Sequence, residues 1–225
     1  MANHLERIFK SDRLVYRAME KNEADRAFIF EHTTNVPEVF GLTTDVLFRP
    51  QTREPSDKWT DDMIDGCKLA VLICLPAVES TEGEQDQKPK PQEPNNQVSN
   101  NPEKKRNEPT PIGYIILSSN ERPEDSAAGY KTGCLGVAIA KPWQGKGYGQ
   151  ESGRWALDWA FRWCAMHIVT FDCYSFNTVA LNMYRKVGFH EEGRLRHRIW
   201  WNGAYHDTIS FSILEDEWRA LSTKS

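Results

Sequence analysis

Hydrophobic residues recur along this chain in two rhythms, every second position and every third or fourth. Arg13-Leu-Val-Tyr16-Arg17 alternates polar with apolar and predicts a first strand. Glu23 to Thr33 carries Ala24, Ala27, Phe28 and His32 at helical spacing, and Asn35 to Gly41, with Pro37 inside it, reads as a loop. Ser56 to Ile64 predicts a second short helix, with Ser56 and Asp57 as cap candidates and Trp59 and Met63 one turn apart. Lys68 to Leu75 is a buried-strand run closed by Pro76, and Pro111 to Leu117 is another. Tyr130 to Ala140 predicts a central strand, ended by Pro142, which has no N–H to give a sheet. A helical pattern then runs to about Met166, with Trp155, Ala156, Leu157, Trp159, Ala160, Phe161 and Trp163 on a wide apolar face. Arg154, Asp158 and Arg162 form a charged stripe opposite. His167 to Cys173 is the next strand. Asn177 then caps a helix whose Ala180, Leu181, Tyr184 and Val187 share a face and whose stop is Gly188. Phe189 to Arg198 and Tyr205 to Leu214 form a final antiparallel pair around Trp201-Asn202-Gly203-Ala204, a strong hairpin signal.

The order is β α α β β β α β α β β. This is a mixed α/β (α+β) sandwich, a mostly antiparallel sheet of six to seven strands with about four helices. Repeated β-α crossovers, which a dinucleotide-binding fold needs, are missing from it.

Between residues 79 and 110 the composition changes: Glu, Gln, Asn, Pro and Lys dominate, with Val98 the one large apolar residue. Such a segment cannot offset its ordering entropy by burial and is expected to be a disordered insertion between two strands. Glu121 to Ala128 reads as a polar turn. With 225 residues, one domain over 1–225 is expected. A net charge of −4 gives no reason to expect nucleic acid, and no apolar run is of membrane-spanning length. Met1 to Arg7 has no apolar core of a signal peptide. Cys67, Cys74, Cys134, Cys164 and Cys173 are odd in number, scattered and without a Cys-x-x-Cys pair, which reads as reduced core thiols and no metal site. A cytoplasmic protein is expected; Lys104-Lys105-Arg106 leaves a nuclear location open but reads better as a solvated charge run.

Candidate chemistry begins in Gly136 to Gly149. The apolar run Leu135 to Ala140 is followed by glycines at 145, 147 and 149 and then by a helix start. This arrangement offers backbone N–H groups and the positive end of a helix dipole to an anion, and glycine lets a phosphate approach. A glycine-rich turn without a ligand is the plain alternative. The P-loop pattern has no match, and the dinucleotide pattern fails at its third glycine, where Gln150 or Ser152 stands. Gln144-Gly145-Lys146-Gly147-Tyr148-Gly149 resembles Gln/Arg-x-x-Gly-x-Gly/Ala, the coenzyme A pyrophosphate loop of the GNAT acetyltransferase superfamily. Asn177 to Phe189 is similar to the same superfamily's Asn-x-x-Ala-x-x-x-Tyr-x-x-x-Gly-Phe segment, although Tyr184 read alone would be an ordinary core tyrosine. The closing pattern, with Asn202-Gly203-Ala204-Tyr205-His206-Asp207 and Glu217-Trp218, resembles the branch holding ribosomal-protein-alanine and spermidine acetyltransferases.

The resemblance implies acetyl-CoA as donor, a primary amine as acceptor, and direct attack in a ternary complex. It places the pyrophosphate on Gln144, Gly145, Lys146, Gly147, Tyr148 and Gly149, and the pantetheine arm along Val137, Ala138 and Ile139. It gives Asn177 and Ala180 to the pantetheine side, Lys186 or Arg185 to the adenosine phosphate, and Tyr184 the role of proton donor to the departing thiolate. One departure stands out: many relatives carry a Glu in the central strand as general base, and Gly133-Cys134-Leu135-Gly136-Val137 has no acid. Glu38, Asp172, Glu192, His206 and Asp207 are the candidates. An acceptor of modest basicity, a protein N-terminal α-amine or a small amine, follows from the missing acid. A polyamine acetyltransferase of the spermidine type and a non-catalytic coenzyme-A-binding protein are the alternatives.

Overall fold

Strand-forming runs pair first with their neighbours in sequence, and that builds most of the sheet. In the computed structural model, which describes residues 5, 7–44, 46–77, 108–119 and 131–222, the strands are β1 (Val15–Ala18), β2 (Cys67–Leu75), β3 (Thr110–Ser119), β4 (Thr132–Ile139), β5 (Ile168–Tyr174), β6 (His190–Trp201) and β7 (Ala204–Leu214). They lie in the order β1-β2-β3-β4-β5-β7-β6. All neighbours are antiparallel except β4 and β5, which are parallel.

Helices cover both faces. On one face are α1 (Glu23–Ile29), α2 (Pro37–Thr43) and α3 (Arg53–Gly66); on the other are α4 (Tyr148–Arg162), α5 (Thr178–Val187) and α6 (Glu215–Ser222). The alternation of side chains along the strands therefore feeds two cores. Phe28, Ile29, Val39, Met63, Leu72, Tyr114 and Ala138 fill the first. Ile73, Ile115, Leu135, Leu157, Phe171, Tyr184 and Phe211 are among those filling the second, where Tyr16 of β1 stacks on Trp155 at 3.6 Å. α1 is fixed to β1 by a buried carboxylate: Asp25 accepts both Arg17 nitrogens, at 2.8 and 2.6 Å, and the Glu20 N–H at 2.9 Å. Asn22 caps the same helix, accepting the Asp25 N–H.

The expected sandwich is present, with corrections at element ends. Six helices stand among the described residues against about four expected. α2 was expected as loop, but Pro37 takes a first-turn position, where its missing N–H costs nothing. α6 had no expectation. α3 opens at Arg53, three residues early, so Ser56 is no cap: it is buried, and its hydroxyl donates to Thr34 Oγ1 at 3.1 Å. α1 gives way to a π-helical turn, Phe30–Thr34, at its end. α4 stops at Arg162 and not near Met166, since Ala165 takes a left-handed φ of 53°, and Trp163 lies exposed beyond the helix. The hairpin turn is as expected, with Asn202 and Gly203 at φ 46° and 83°, but β6 runs to Trp201. The predicted insertion at 79–110 lies outside the described residues except for its last three, of which Thr110 opens β3; the predicted turn at 121–128 lies outside them altogether. No helix among the described residues is long and apolar enough to cross a membrane.

Candidate functional site

The parallel pair is where the sheet comes apart. β4 pairs with β5 only through Thr132–Ile168, Gly133–Val169 and Cys134–Thr170. Beyond Cys134, β4 continues on β3 to Ile139, and β5 continues on β7 to Tyr174. A gap therefore opens between Leu135–Ile139 and Phe171–Tyr174. Ala140 donates to the Ile112 carbonyl at 2.9 Å, and Gly113 stands opposite Ile139. Antiparallel alternation then spends the backbone groups of Ala138 and Gly136 on β3 and turns those of Val137 and Ile139 into the gap. Of these, the Ile139 carbonyl accepts the Gln144 side chain at 2.8 Å.

The glycine loop sits at the mouth of this gap. Lys141–Trp143 forms a 3₁₀ turn, and Gly145 and Gly147 follow at φ 75° and 83°. Gly149 is helical, in the first turn of α4. No side chain caps α4 at Gly147, so the N–H groups of its first turn stay available. A Cβ on Gly145 would meet nothing within 4 Å; one on Gly147 would stand 3.3 Å from Arg13 Nη2. Arg13 itself is bound to the loop. It donates to the Lys146 carbonyl at 3.1 Å, pairs with Glu151 at 2.8 Å and lies over the Tyr148 ring at 4.7 Å. Burial raises the Glu151 carboxyl, but hydrogen bonds from Ser11, the Arg13 backbone and the Arg13 side chain outweigh it and hold the carboxyl below its ordinary value.

Tyr184 lies on the inner face of α5, buried against Phe171 at 3.7 Å and Phe189 at 5.6 Å between ring centres. Burial pushes its phenol well above the ordinary value, and Cys173, Tyr114 and Cys134 add to the push. Those three belong to β5, β3 and β4, the strands around the gap. The hydroxyl makes no hydrogen bond among the described residues. It is not sealed either, for Ser119 Oγ is the one sealed side-chain atom among them without a partner. Asn177 caps α5 as expected, accepting the Ala180 N–H at 3.2 Å. Ala180 is half-buried in the first turn. Lys186 is exposed in the last turn, its carbonyl 3.5 Å from Arg154 Nη2. Arg185 pairs with Glu191 at 3.1 Å.

On the opposite face of the sheet, α1, α2 and α3 leave the β5-β7-β6 end uncovered. A cavity of about 730 Å³ forms there. Its floor includes Tyr114 of β3 and Asp172 of β5, the strands on either side of β4, with Asp172 at the edge of the gap. Thr33, Thr34, Phe40 and Trp59 wall it, Trp59 meeting Tyr114 edge-on at 5.9 Å. Of the five candidate bases, Asp172 alone lines this cavity. It is exposed and accepts the Ser210 hydroxyl at 2.7 Å. Glu38 pairs loosely with Lys141 at 4.0 Å, Glu192 accepts from Ser212, and His206 packs on Phe176. Asp207 is committed to the His197 N–H at 2.9 Å and to Arg194 at 3.0 Å, which hold its carboxyl below the usual range. Cys134, where the paired stretch ends, has its thiol pushed up by burial and by the Asp172 carboxylate.

Sequence reasoning missed the Arg13–Glu151 clamp and most of the cavity walls; the resemblance implied that Asn35 to Gly41 walls the acceptor site, and of that stretch Phe40 lines the cavity. Arg13 lies far from the loop in sequence and belongs to no motif. Thr33 and Trp59 follow ordinary helical spacing, which does not distinguish a cavity wall from a core face.

A family model described as the acetyltransferase (GNAT) family matches residues 74–189. The chain is 36% identical over 89 residues to the SPbeta prophage-derived uncharacterized N-acetyltransferase YokL of Bacillus subtilis (strain 168), covering 39% of this chain and 50% of that protein. It is 30% identical over 84 residues to the spermidine N(1)-acetyltransferase of Escherichia coli (strain K12), covering 37% and 45%. The chain thus spans about half the length of the curated relatives it matches. Among solved structures, a spermidine N-acetyltransferase from Vibrio cholerae in complex with CoA and spermine superposes with a TM-score of 0.66 at 19% identity, over 93% of this chain and 99% of that one. A GNAT-family acetyltransferase from Bacillus anthracis gives 0.64 at 18%, over 92% and 98%. At these identities the likeness is one of fold.

Proposed function

The chain belongs to the GNAT family of acetyltransferases, and we propose that it moves an acetyl group from acetyl-CoA to a primary amine held in the 730 Å³ cavity. The observation that carries this reading is the gap between β4 and β5. Tyr184 and the glycine loop stand on one side of it, and the cavity with Asp172 opens on the other.

The residues fit the coenzyme. Left-handed Gly145 and Gly147 leave the loop bare, the uncapped start of α4 offers N–H groups to a pyrophosphate, and Val137 and Ile139 turn backbone groups into the gap. Gln144, Lys146, Tyr148 and Gly149 complete the loop on this reading, with Ala138 beneath the arm, Asn177 and Ala180 beside it, and Lys186 toward the adenosine phosphate. When bound, the coenzyme supplies an activated acetyl group. Asp172 takes a proton from the acceptor ammonium and passes it to solvent. The freed nitrogen forms the new C–N bond as the C–S bond breaks, and the second proton it sheds in becoming an amide leaves through Asp172 and water to replace the one that Tyr184 gives up. Tyr184, kept protonated by burial, gives its proton to the leaving sulfur. No cysteine is needed as nucleophile. Burial pushes the Cys74 and Cys173 thiols up to about 11, which leaves both protonated at neutral pH.

An α-amine titrates at ~7.7–8.0 and a lysine-type amine at ~10.4, so near neutral pH the first needs far less help to lose its proton. A cavity with one described carboxylate at its floor suits a peptide N-terminus or a small amine of modest basicity. The second reading, a polyamine acceptor, draws on the similarity to spermidine acetyltransferases. Thiol release from acetyl-CoA with an N-terminal peptide, a peptide whose one free amine is a lysine, and spermidine separates the readings. Asp172→Asn is expected to lower kcat/KM by ~10²–10⁴-fold while leaving coenzyme affinity alone. Wild-type turnover in that variant would remove Asp172 as the base.

A further inference from the structure

β6 is not a regular strand. Leu195 stands opposite Thr208 and Ile199 opposite His206, so two extra residues lie between these positions on β6. Within the bulge His197 takes φ 52°, a left-handed conformation uncommon outside glycine, though one that histidine enters more readily than most residues. Asp207 pins it there by accepting the His197 N–H and the Arg194 guanidinium. In an unbroken strand Arg198 and Ile199 would point to opposite faces. Both line the cavity, together with Leu195. Bulges next to sites commonly re-aim a side chain, and here the side chain gained is Arg198.

Arg198 has no ion-pair or hydrogen-bond partner among the described residues. Among those lining the cavity it is the one cation, as Asp172 is the one carboxylate. A site built for a polyamine would multiply carboxylates and exclude a guanidinium, because like charges repel in a partly desolvated space. The aromatic walls suit a flat apolar body. We propose that Arg198 recognises an anion on the acceptor, and that the acceptor is a small zwitterionic amine, an amino acid with an aromatic or apolar side chain. Its amine meets Asp172 and its carboxylate meets the Arg198 fork, a planar match that lysine reproduces only as a point charge. This rests on the acetyl-transfer reading above.

Phenylalanine, phenylalaninamide and 2-phenylethylamine share one aromatic body, and only the first bears a carboxylate. Thiol release from acetyl-CoA is measured for each with the full chain and with Arg198→Ala and Arg198→Lys, coenzyme affinity serving as the check on folding. The wild type is expected to prefer phenylalanine by roughly 10-fold or more in kcat/KM, the scale of one charged hydrogen-bonded contact. Arg198→Ala collapses the preference through KM, and Arg198→Lys keeps part of it. Equal use of the three amines by the wild type overturns the inference, as does a preference that survives Arg198→Ala. So does spermidine outrunning phenylalanine, which leaves acetyl transfer itself standing. Coenzyme binding with no thiol release for any amine, spermidine and peptides included, removes the acetyl-transfer reading and this inference with it.

Discussion

Tyr184 is held by rings rather than by hydrogen bonds among the described residues, which leaves its hydroxyl free for the role proposed above. Phe171 and Phe189 fix the ring, and burial keeps the phenol protonated far beyond the assay range. Tyr184→Phe removes one oxygen and no packing contact. It is expected to lower kcat by ~10²–10⁴-fold, the usual contribution of a positioned acid, with acetyl-CoA affinity changed by no more than about twofold. Steady-state kinetics beside titration calorimetry make the comparison. A variant with wild-type kcat would reduce Tyr184 to a core residue. At this scale the left-handed turn at Gly145 and Gly147 and the place of Tyr184 on the inner face of α5 were legible, because each sits in a dense local pattern. Asp172 was only one of five candidate bases, since nothing in a strand's alternation says which face meets a cavity. Arg198 was hidden altogether, because regular alternation sends it the other way.

Among elements, the loop between β4 and α4 owes its shape to the chain's first strand as much as to its own glycines. Arg13 reaches it from just before β1, binding the Lys146 carbonyl, the Glu151 carboxylate and the Tyr148 ring. Arg13→Ala frees the loop without touching the gap or Tyr184. Coenzyme affinity is expected to fall roughly three- to tenfold, the range for partly exposed charged contacts, with kcat nearly unchanged. Calorimetry and kcat measured together check this; loss of kcat at full affinity would place Arg13 elsewhere in the cycle. Elements with strong periodicity were read from the sequence with errors of a few residues, as in β2, β5 and the closing hairpin. α2 was not, because Pro37 and Gly41 look like loop punctuation. Gly41 is instead demanded by packing: a Cβ there would fall inside the Trp201 ring, so the hairpin tip rests on α2. Contacts between segments that far apart leave no periodic trace.

For the molecule as a whole, three tyrosines among the described residues are buried in its two cores: Tyr16, Tyr114 and Tyr184. Burial raises each phenol above its ordinary 10.0, with side-chain hydrogen bonds from Ser11 and Ser152 easing the effect at Tyr16. The sign follows from linkage. A folded value above the unfolded one gives stability that is complete below about pH 10 and lost as pH rises toward the folded value. The protein is therefore expected to unfold cooperatively in alkali, with the three buried phenols ionising in the same step as the loss of circular dichroism. Tyrosinate absorbance recorded against circular dichroism tests this. Smooth ionisation of all seven tyrosines near pH 10 in a folded chain would contradict it.

The seam between β4 and β5 has a consequence for how long a molecule lasts. Three residue pairs join the two halves of the sheet, so local opening is easiest there, and proteases act on open forms. On the proposed reading the coenzyme lies along that seam and bridges it. At a hundredfold excess over its Kd a ligand adds about 2.7 kcal/mol and cuts the open population about a hundredfold. Chains without an acetyl donor would then be degraded first, and the abundance of the protein would follow the supply of its own substrate.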